Sequence, residues 1–87
     1  MKMSKRAVMA MEDSYTDRII NAYNEAVKSN FSDFPAMAIK EMKAIHEELS
    51  WAEEGMMITS EQAQGLWEAV QETAENLLNA WEPEVDK

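Results

Sequence analysis

The chain has 87 residues, a formal net charge of −9, no cysteine, two glycines and two prolines. Its length fits one domain, and the absence of cysteine excludes a disulfide framework, a thiolate metal site and a cysteine nucleophile. A hydrophobic content of 46% is too high for a disordered polyelectrolyte. Because turn residues are few, we predict long elements, and their periodicity predicts an all-α fold: one small acidic three-helix bundle over residues 1–87.

The first helix is predicted from apolar residues that recur at helical spacing. Ser14 or Asp13 caps its start, and Asp17 follows Ser14 by three residues, close to a capping box. Asn30 is the predicted stop. For residues 1–12 two alternatives stay open, since they either extend this helix or remain flexible. The stripe comprises Tyr15, Ile19, Ala22, Tyr23, Ala26 and Val27.

The second helix follows a break in the pattern. Ser32 or Asp33 caps it, and Pro35 fits its first turn, where a missing N–H is tolerated. Gly55 is the predicted stop, because glycine reaches the left-handed conformation cheaply. The apolar residues alternate by four and three positions, as in a helix-packing seam, and they are Ala38, Met42, Ile45, Leu49 and Ala52.

The third helix has two start signals. Thr59 with Gln62 forms a capping box, and Ile58 with Ala63 forms a hydrophobic staple. Helical spacing then predicts a stripe of Ala63, Leu66, Trp67, Val70, Thr73, Ala74, Leu77, Leu78 and Trp81.

The end and the interior of the third helix carry two further predictions. The helix should run to about Trp81, with Pro83 ending it and residues 83–87 forming a short acidic tail. Gly65 lies inside the helix, where glycine costs up to about 1 kcal/mol relative to alanine. We interpret it as a point of close approach by another helix or, alternatively, as a contact for a partner's backbone.

No motif for catalysis or metal binding is present. His46 is the only histidine, and both zinc patterns fail because positions 43 and 50 are Lys43 and Ser50. The glutamate pairs at 47–48 and 53–54 lie on a predicted helix, so they lack the loop spacing of a calcium site. We therefore predict no enzyme activity, no catalytic residue, no metal site and no cofactor.

Targeting and membrane signals are also missing. The apolar run at residues 7–11 has five residues, fewer than the 7–15 or so of a signal-peptide core. No run approaches the roughly 18 residues of a membrane span. We expect a cytoplasmic protein without a membrane partner.

Charge is divided unequally along the chain. The first 43 residues hold six acids and seven bases, whereas Ala44 to Asp86 holds eleven carboxylates and no lysine or arginine. Such an excess argues against direct nucleic-acid binding, which needs cations to displace counterions. It also forgoes the Glu–Lys pairs that stabilise ordinary helices. The acids either form a solvated face that serves solubility or form a surface for a basic partner.

The glutamates of the third helix share one face. Five of them on about 33 Å of helix give roughly one charge per 6–7 Å, whereas one DNA strand carries one per 3.4 Å or so. One helix is therefore too sparse to imitate a duplex, and further acids or a second subunit are needed. The five are Glu61, Glu68, Glu72, Glu75 and Glu82, and the second helix adds Glu47, Glu48, Glu53 and Glu54.

The tryptophans have different predicted roles. Trp67 falls on the apolar stripe and is predicted to lie in the core. Trp51 lies beside the seam of the second helix, and Trp81 closes the third stripe near the chain end. Tryptophan is enriched at binding hot spots, so Trp51 and Trp81 are candidate interface anchors.

Residues 74–82, AENLLNAWE, resemble the end of the phage anti-restriction proteins that mimic DNA, which are likewise small, acidic, helical and cysteine-free. The chain departs from that family in lacking a long poly-acidic tail and in having a charge-balanced first half. The resemblance implies a phage-encoded inhibitor acting in the host cytoplasm on a defence or nucleic-acid enzyme. Restriction, CRISPR and polymerase targets all remain open.

We therefore predict a binding protein whose acidic helical face engages a basic site on another protein, such as a nucleic-acid-binding or defence enzyme. The alternative is a structural module in which the apolar stripes pair within a homodimer and the acids serve only solubility. The candidate partner-binding residues are Glu47, Glu48, Trp51, Glu53, Glu54, Glu61, Glu68, Glu72, Glu75, Trp81 and Glu82.

Overall fold

Three helices make up the computed structural model, which describes residues 4–29 and 33–81. They are α1 (Lys5–Lys28), α2 (Phe34–Glu54) and α3 (Ser60–Trp81), and each helix contacts the other two. This arrangement confirms the predicted all-α three-helix bundle. Several predicted features lie outside the described residues, namely the stop at Asn30, the alternative cap Ser32, the acid Glu82 and the tail at 83–87.

Helix α1 begins about ten residues earlier than its capping signals indicate. Ser4 is the N-cap, and its hydroxyl oxygen accepts a hydrogen bond from the N–H of Ala7 at 3.1 Å. The predicted caps, Asp13 and Ser14, instead lie exposed in the middle of the helix. The stripe continues toward the N-terminus through side chains that pack on the core, Val8 and Met11. Burial of this stripe outweighs a local capping signal, since helix stability in proteins comes mostly from packing of the apolar face.

Helix α2 begins as predicted but ends differently. The Asp33 carboxylate caps its N-terminus, and Pro35 lies in the first turn. At the C-terminus, Gly55 has φ −79° and ψ 2°, so the expected left-handed glycine is absent. Met56 adopts the left-handed conformation instead, with φ 61°. This correction places a strained backbone on a methionine.

The turn around Met56 is a Schellman motif, in which two N–H groups satisfy the last carbonyls of the helix. The N–H of Met57 donates to the carbonyl of Ala52 at 2.9 Å, and that of Met56 donates to Glu53 at 3.0 Å. The motif needs a left-handed residue where Met56 stands, and the glycine of this turn is one residue too early to supply it.

Both predicted start signals of α3 are present. The N–H of Thr59 donates to the side chain of Gln62 at 2.9 Å, and the N–H of Gln62 donates to the hydroxyl of Thr59 at 3.0 Å, which confirms the capping box. Ile58 and Ala63 are both buried, as the staple requires. Because the backbone donors of the first turn are satisfied locally, the start of α3 could be placed from sequence.

Gly65 does not mark a close approach of helices. It lies on the exposed side of α3, and no atom lies within 4 Å of the position that a Cβ would occupy. The expectation of a tightly packed helix crossing at this residue was wrong, because Gly65 faces away from the core.

The core is formed by the inward stripes of the three helices. At the end where α1 leads into α2, Tyr23, Phe34 and Trp81 bring one ring from each helix together. Tyr23 lies 5.2 Å from Phe34, and Trp81 lies 6.1 Å and 6.0 Å from these two rings, measured between centroids. Val27 was predicted for the stripe but is exposed. The buried core comprises Tyr15, Ile19, Ala22, Ala26, Phe34, Ala38, Ile45, Leu49, Ile58, Ala63, Leu66, Val70 and Ala74.

Candidate protein-binding surface

The outward side of α3 carries a row of exposed carboxylates opposite its buried stripe. They follow one another by seven, four and three residues, which keeps them on one face over about 21 Å at the helical rise. Within residues 4–29 and 33–81, no lysine or arginine lies within ion-pair distance of any of them. We call this set the α3 acidic face, and it comprises Glu61, Glu68, Glu72 and Glu75.

The carboxylate of Glu48 faces a different direction and is already paired. The guanidinium of Arg18 on α1 donates to Glu48 at 2.9 Å and to Glu41 at 3.1 Å. The same guanidinium lies 5.9 Å from the ring centroid of Tyr15. Glu48 therefore joins α1 to α2, and the structure separates it from the other predicted binding acids.

Burial and neighbouring charge shift the pKa values of two groups in this cluster. Burial raises the pKa of Tyr15 above 10.0, and the Glu48 carboxylate raises it further, while Arg18 opposes the shift. For Arg18, burial lowers the pKa, but hydrogen bonds to Glu48 and Glu41 outweigh burial and leave the pKa raised. The side chains of Arg18, Glu41 and Glu48 in this contact are between 32% and 41% exposed, so they are partly withdrawn from water.

At the end of α2, Trp51 is 63% exposed and stands among acids. Glu47 precedes it by four residues and Glu54 follows it by three, so both are its neighbours on the helix surface. Each of these glutamates is exposed. Glu53 points toward α3, where its carboxylate accepts a hydrogen bond from the hydroxyl of Ser60. The predicted set on α2 is thus divided among three directions.

A shallow groove runs between α2 and α3. His46 and Trp67 form its floor, with their rings at 5.0 Å and an interplanar angle of 71°. Trp67 was predicted to lie in the core. It packs against the core as predicted, but its side chain is only half-buried. Ile39 and Met42 line one part of the groove. No acid of the α3 acidic face enters it.

Trp81 lies at the opposite end of the bundle from Trp51. Its half-buried ring packs against Tyr23 and Phe34, so it closes the core where α1 leads into α2. Trp51 lies at the other end, beside the connection from α2 to α3. The two candidate anchors therefore do not share one surface.

Two contacts escaped sequence reasoning although the spacing carried a signal for each. Glu41 and Glu48 are seven residues apart on one flank of the α2 seam, which suits a single cation on the neighbouring helix. His46 and Trp67 each follow a buried seam residue, Ile45 and Leu66, and so meet on the opposite flank. The spacing places these residues on the flanks of their stripes, whereas the partner of each depends on how the helices pack.

Metal sites and membrane-spanning helices are both absent from the described residues. Within the described part of the chain, no group of three or more histidine, aspartate or glutamate side chains is arranged to hold a metal ion. None of the three described helices is long and apolar enough to cross a membrane. Comparisons with models of protein families, with characterised proteins and with solved structures gave no significant match.

Proposed function

We propose that the protein acts by binding, with the α3 acidic face engaging a basic surface on another protein. The observation that carries this proposal is a row of four exposed carboxylates without a described cation beside any of them. Among the described residues, the arginine that pairs with acids is Arg18, and it is committed to Glu41 and Glu48. Apart from a hydrogen bond that Glu68 accepts from the side chain of Gln64 at 3.4 Å, the row is therefore available to a partner.

Electrostatics sets what such a row can do. Exposed ion pairs are worth about 0–1 kcal/mol each, so the row contributes modest affinity by itself. Its larger effects are faster association and selection of basic partners, both of which weaken as salt rises. A basic nucleic-acid-binding or defence enzyme, encountered by a phage-type inhibitor in the host cytoplasm, is the partner class that fits this chemistry.

Charge reversal of three members of the row tests the proposal. Glu68→Lys, Glu72→Lys and Glu75→Lys together change the net charge from −9 by +6 to −3. We expect the tagged triple variant to lose the basic proteins that the wild-type chain captures from host lysate at low salt. Capture is measured by quantitative mass spectrometry at low and high salt.

The matched control reverses three exposed acids on α1, Glu12→Lys, Asp13→Lys and Glu25→Lys, and reaches the same net charge of −3 from −9. This variant should retain most of the capture. Equal loss in both variants would show that net charge alone matters, and full capture by the α3 variant would rule out the acidic face as the binding surface.

The alternative function is a structural or oligomerisation module. The apolar stripes that could pair between subunits are buried inside the single chain, so an assembly would use other surfaces. Exposed apolar side chains on α1 and α2, such as Val27 and Ile39, offer such surfaces. Sedimentation equilibrium of the wild-type chain distinguishes this alternative, since the binding proposal does not require self-association.

A further inference from the structure

At the end of the bundle near Trp51, three large apolar side chains are exposed to water. Trp51 is 63% exposed, Met56 is 74% exposed and Met57 is 47% exposed. They belong to one stretch that the Schellman hydrogen bonds fold back on the end of α2. Exposed apolar groups rimmed by polar residues are typical of protein-binding sites. We call Glu47, Trp51, Glu54, Met56 and Met57 the Trp51 platform.

The backbone at Met56 is a second, independent observation. A left-handed conformation is unfavourable for a non-glycine residue, and Met56 holds it while its side chain is exposed to water. Its exposure means that core packing gives little return for this strain. Methionine offers an adaptable apolar contact to a partner, which is a reason for its presence at this position.

The charge around the platform specifies the partner. Glu47 and Glu54 flank Trp51, and no lysine or arginine of the described chain pairs with either. The last turn of α2 contains no basic residue, so the negative end of the helix dipole adds to the same potential. A cation over an indole face is stabilised, and arginine also stacks on the ring and bonds carboxylates with its planar fork.

The same protein already shows this chemistry in its partly exposed contact between α1 and α2. Arg18 lies over the ring of Tyr15 while two carboxylates, Glu41 and Glu48, accept its hydrogen bonds. Trp51 with Glu47 and Glu54 presents the same three groups on one outward helix face. The contact between α1 and α2 has its arginine, whereas the outward one shows none among the described residues.

We propose that the Trp51 platform docks an arginine-bearing amphipathic helix of the basic partner. One guanidinium stacks on Trp51 between Glu47 and Glu54, and a neighbouring apolar side chain rests on Met56 and Met57. The inference rests on the proposed binding function and deepens it, because it adds a specific apolar and stacking contact to the diffuse attraction of the α3 acidic face.

A pair of synthetic peptides tests the platform directly. One contains two copies of Leu-Arg-Ala-Leu-Arg-Ala-Arg, and the other replaces every arginine by lysine at the same charge. We expect titration calorimetry to show that the wild-type chain binds the arginine peptide about fivefold more tightly, as an added stacking contact would produce. Trp51→Ala should abolish that preference, and Trp51→Phe should keep part of it. The double change Glu47→Gln with Glu54→Gln should lower the affinity for both peptides.

Ile39→Ala is the matched control, because Ile39 is similarly exposed on α2 and lies outside the platform. It should leave the arginine preference unchanged. A wild-type chain without arginine preference, or a Trp51→Ala variant that keeps it, would overturn the proposal. Dissociation of a homodimer by Trp51→Ala would also overturn it, by showing that a second copy covers the platform.

The two proposals fail in distinguishable ways. If the wild-type chain captures no basic protein yet prefers the arginine peptide through Trp51, the function of the α3 acidic face is wrong and the platform stands. If capture depends on Glu68, Glu72 and Glu75 while Trp51→Ala changes neither peptide affinity, the platform is wrong and the acidic face stands.

Discussion

Met56 shows how a single backbone angle can conflict with the residue that carries it. Gly55 is a sound sequence signal for a helix stop, and the helix does end beside it. The left-handed residue that the Schellman motif requires is nevertheless Met56, one position later. Gly55 therefore has a negative φ, which does not require glycine, and Met56 has the positive φ that favours glycine.

We expect Met56→Gly to stabilise the fold. Relief of left-handed strain gains about 1–2 kcal/mol, and the added freedom of glycine in the unfolded chain costs about 0.5–1 kcal/mol, so the net gain lies between about 0 and 1.5 kcal/mol. Urea unfolding followed by circular dichroism measures it. Met57→Gly is the control, because Met57 has no positive φ and should lose stability. Lower stability for Met56→Gly than for the wild-type chain would contradict the strain argument.

At the scale of helices, two side-chain contacts join α2 to α1 and to α3. Arg18 holds α1 to α2 through Glu41 and Glu48 on one flank. His46 and Trp67 hold α2 to α3 on the other. These polar and aromatic pairs add specific contacts to the packing of the apolar stripes.

The raised pKa of Tyr15 predicts a loss of stability at alkaline pH. Below pH 10 or so the hydroxyl is neutral in both states, so its ionisation has no effect on folding. As pH rises, the unfolded chain ionises first, because burial and then Glu48 hold the folded pKa above 10.0. Stability therefore falls through this range. Urea midpoints from neutral to alkaline pH should fall less steeply for Tyr15→Phe than for Tyr23→Phe, and equal slopes would exclude Tyr15 as the cause.

The helices and the candidate surface differ in how far the sequence predicts them. Thr59 and Gln62 act within a single turn, so their capping box could be assigned without tertiary information. The start of α1 could not, since its stripe is stabilised by helices that lie far along the chain. The exposure of the α3 acids follows from their spacing, but the pairing of Glu48 depends on Arg18, 30 residues away. The capping box of α3 and the cap of α2 at Asp33 were therefore predictable from local sequence, whereas the local signals at Asp13, Ser14 and Gly55 failed and the partner of Glu48 depended on contacts between helices.

Over the whole molecule, acidic side chains outnumber basic ones by 17 to 8. The net charge is −9, and the described ion pairs are the two made by Arg18, both partly exposed. Pairs of this kind contribute about 0–1 kcal/mol each. An excess of one sign favours solubility but destabilises the compact state. Repulsion among the acids therefore opposes folding of the bundle.

Salt should therefore stabilise the protein. Screening lengths fall from about 30 Å at 0.01 M to about 3 Å at 1 M salt, which weakens repulsion across the bundle. We expect the thermal midpoint to rise with sodium chloride over this range. Changing Glu68, Glu72 and Glu75 to Gln takes the net charge from −9 by +3 to −6 and should make the rise smaller. A midpoint that falls with salt would show that the ion pairs of Arg18 dominate.

The three tryptophans give the protein separate optical reporters. Trp51 is exposed to water, Trp67 lies against the imidazole ring of His46, and Trp81 lies against Tyr23 and Phe34 at the far end. In single-tryptophan variants, the colour of emission at position 51 follows occupancy of one end of the bundle, while that at position 81 follows the integrity of the other. Binding and unfolding can thus be recorded as distinct spectral events in one molecule.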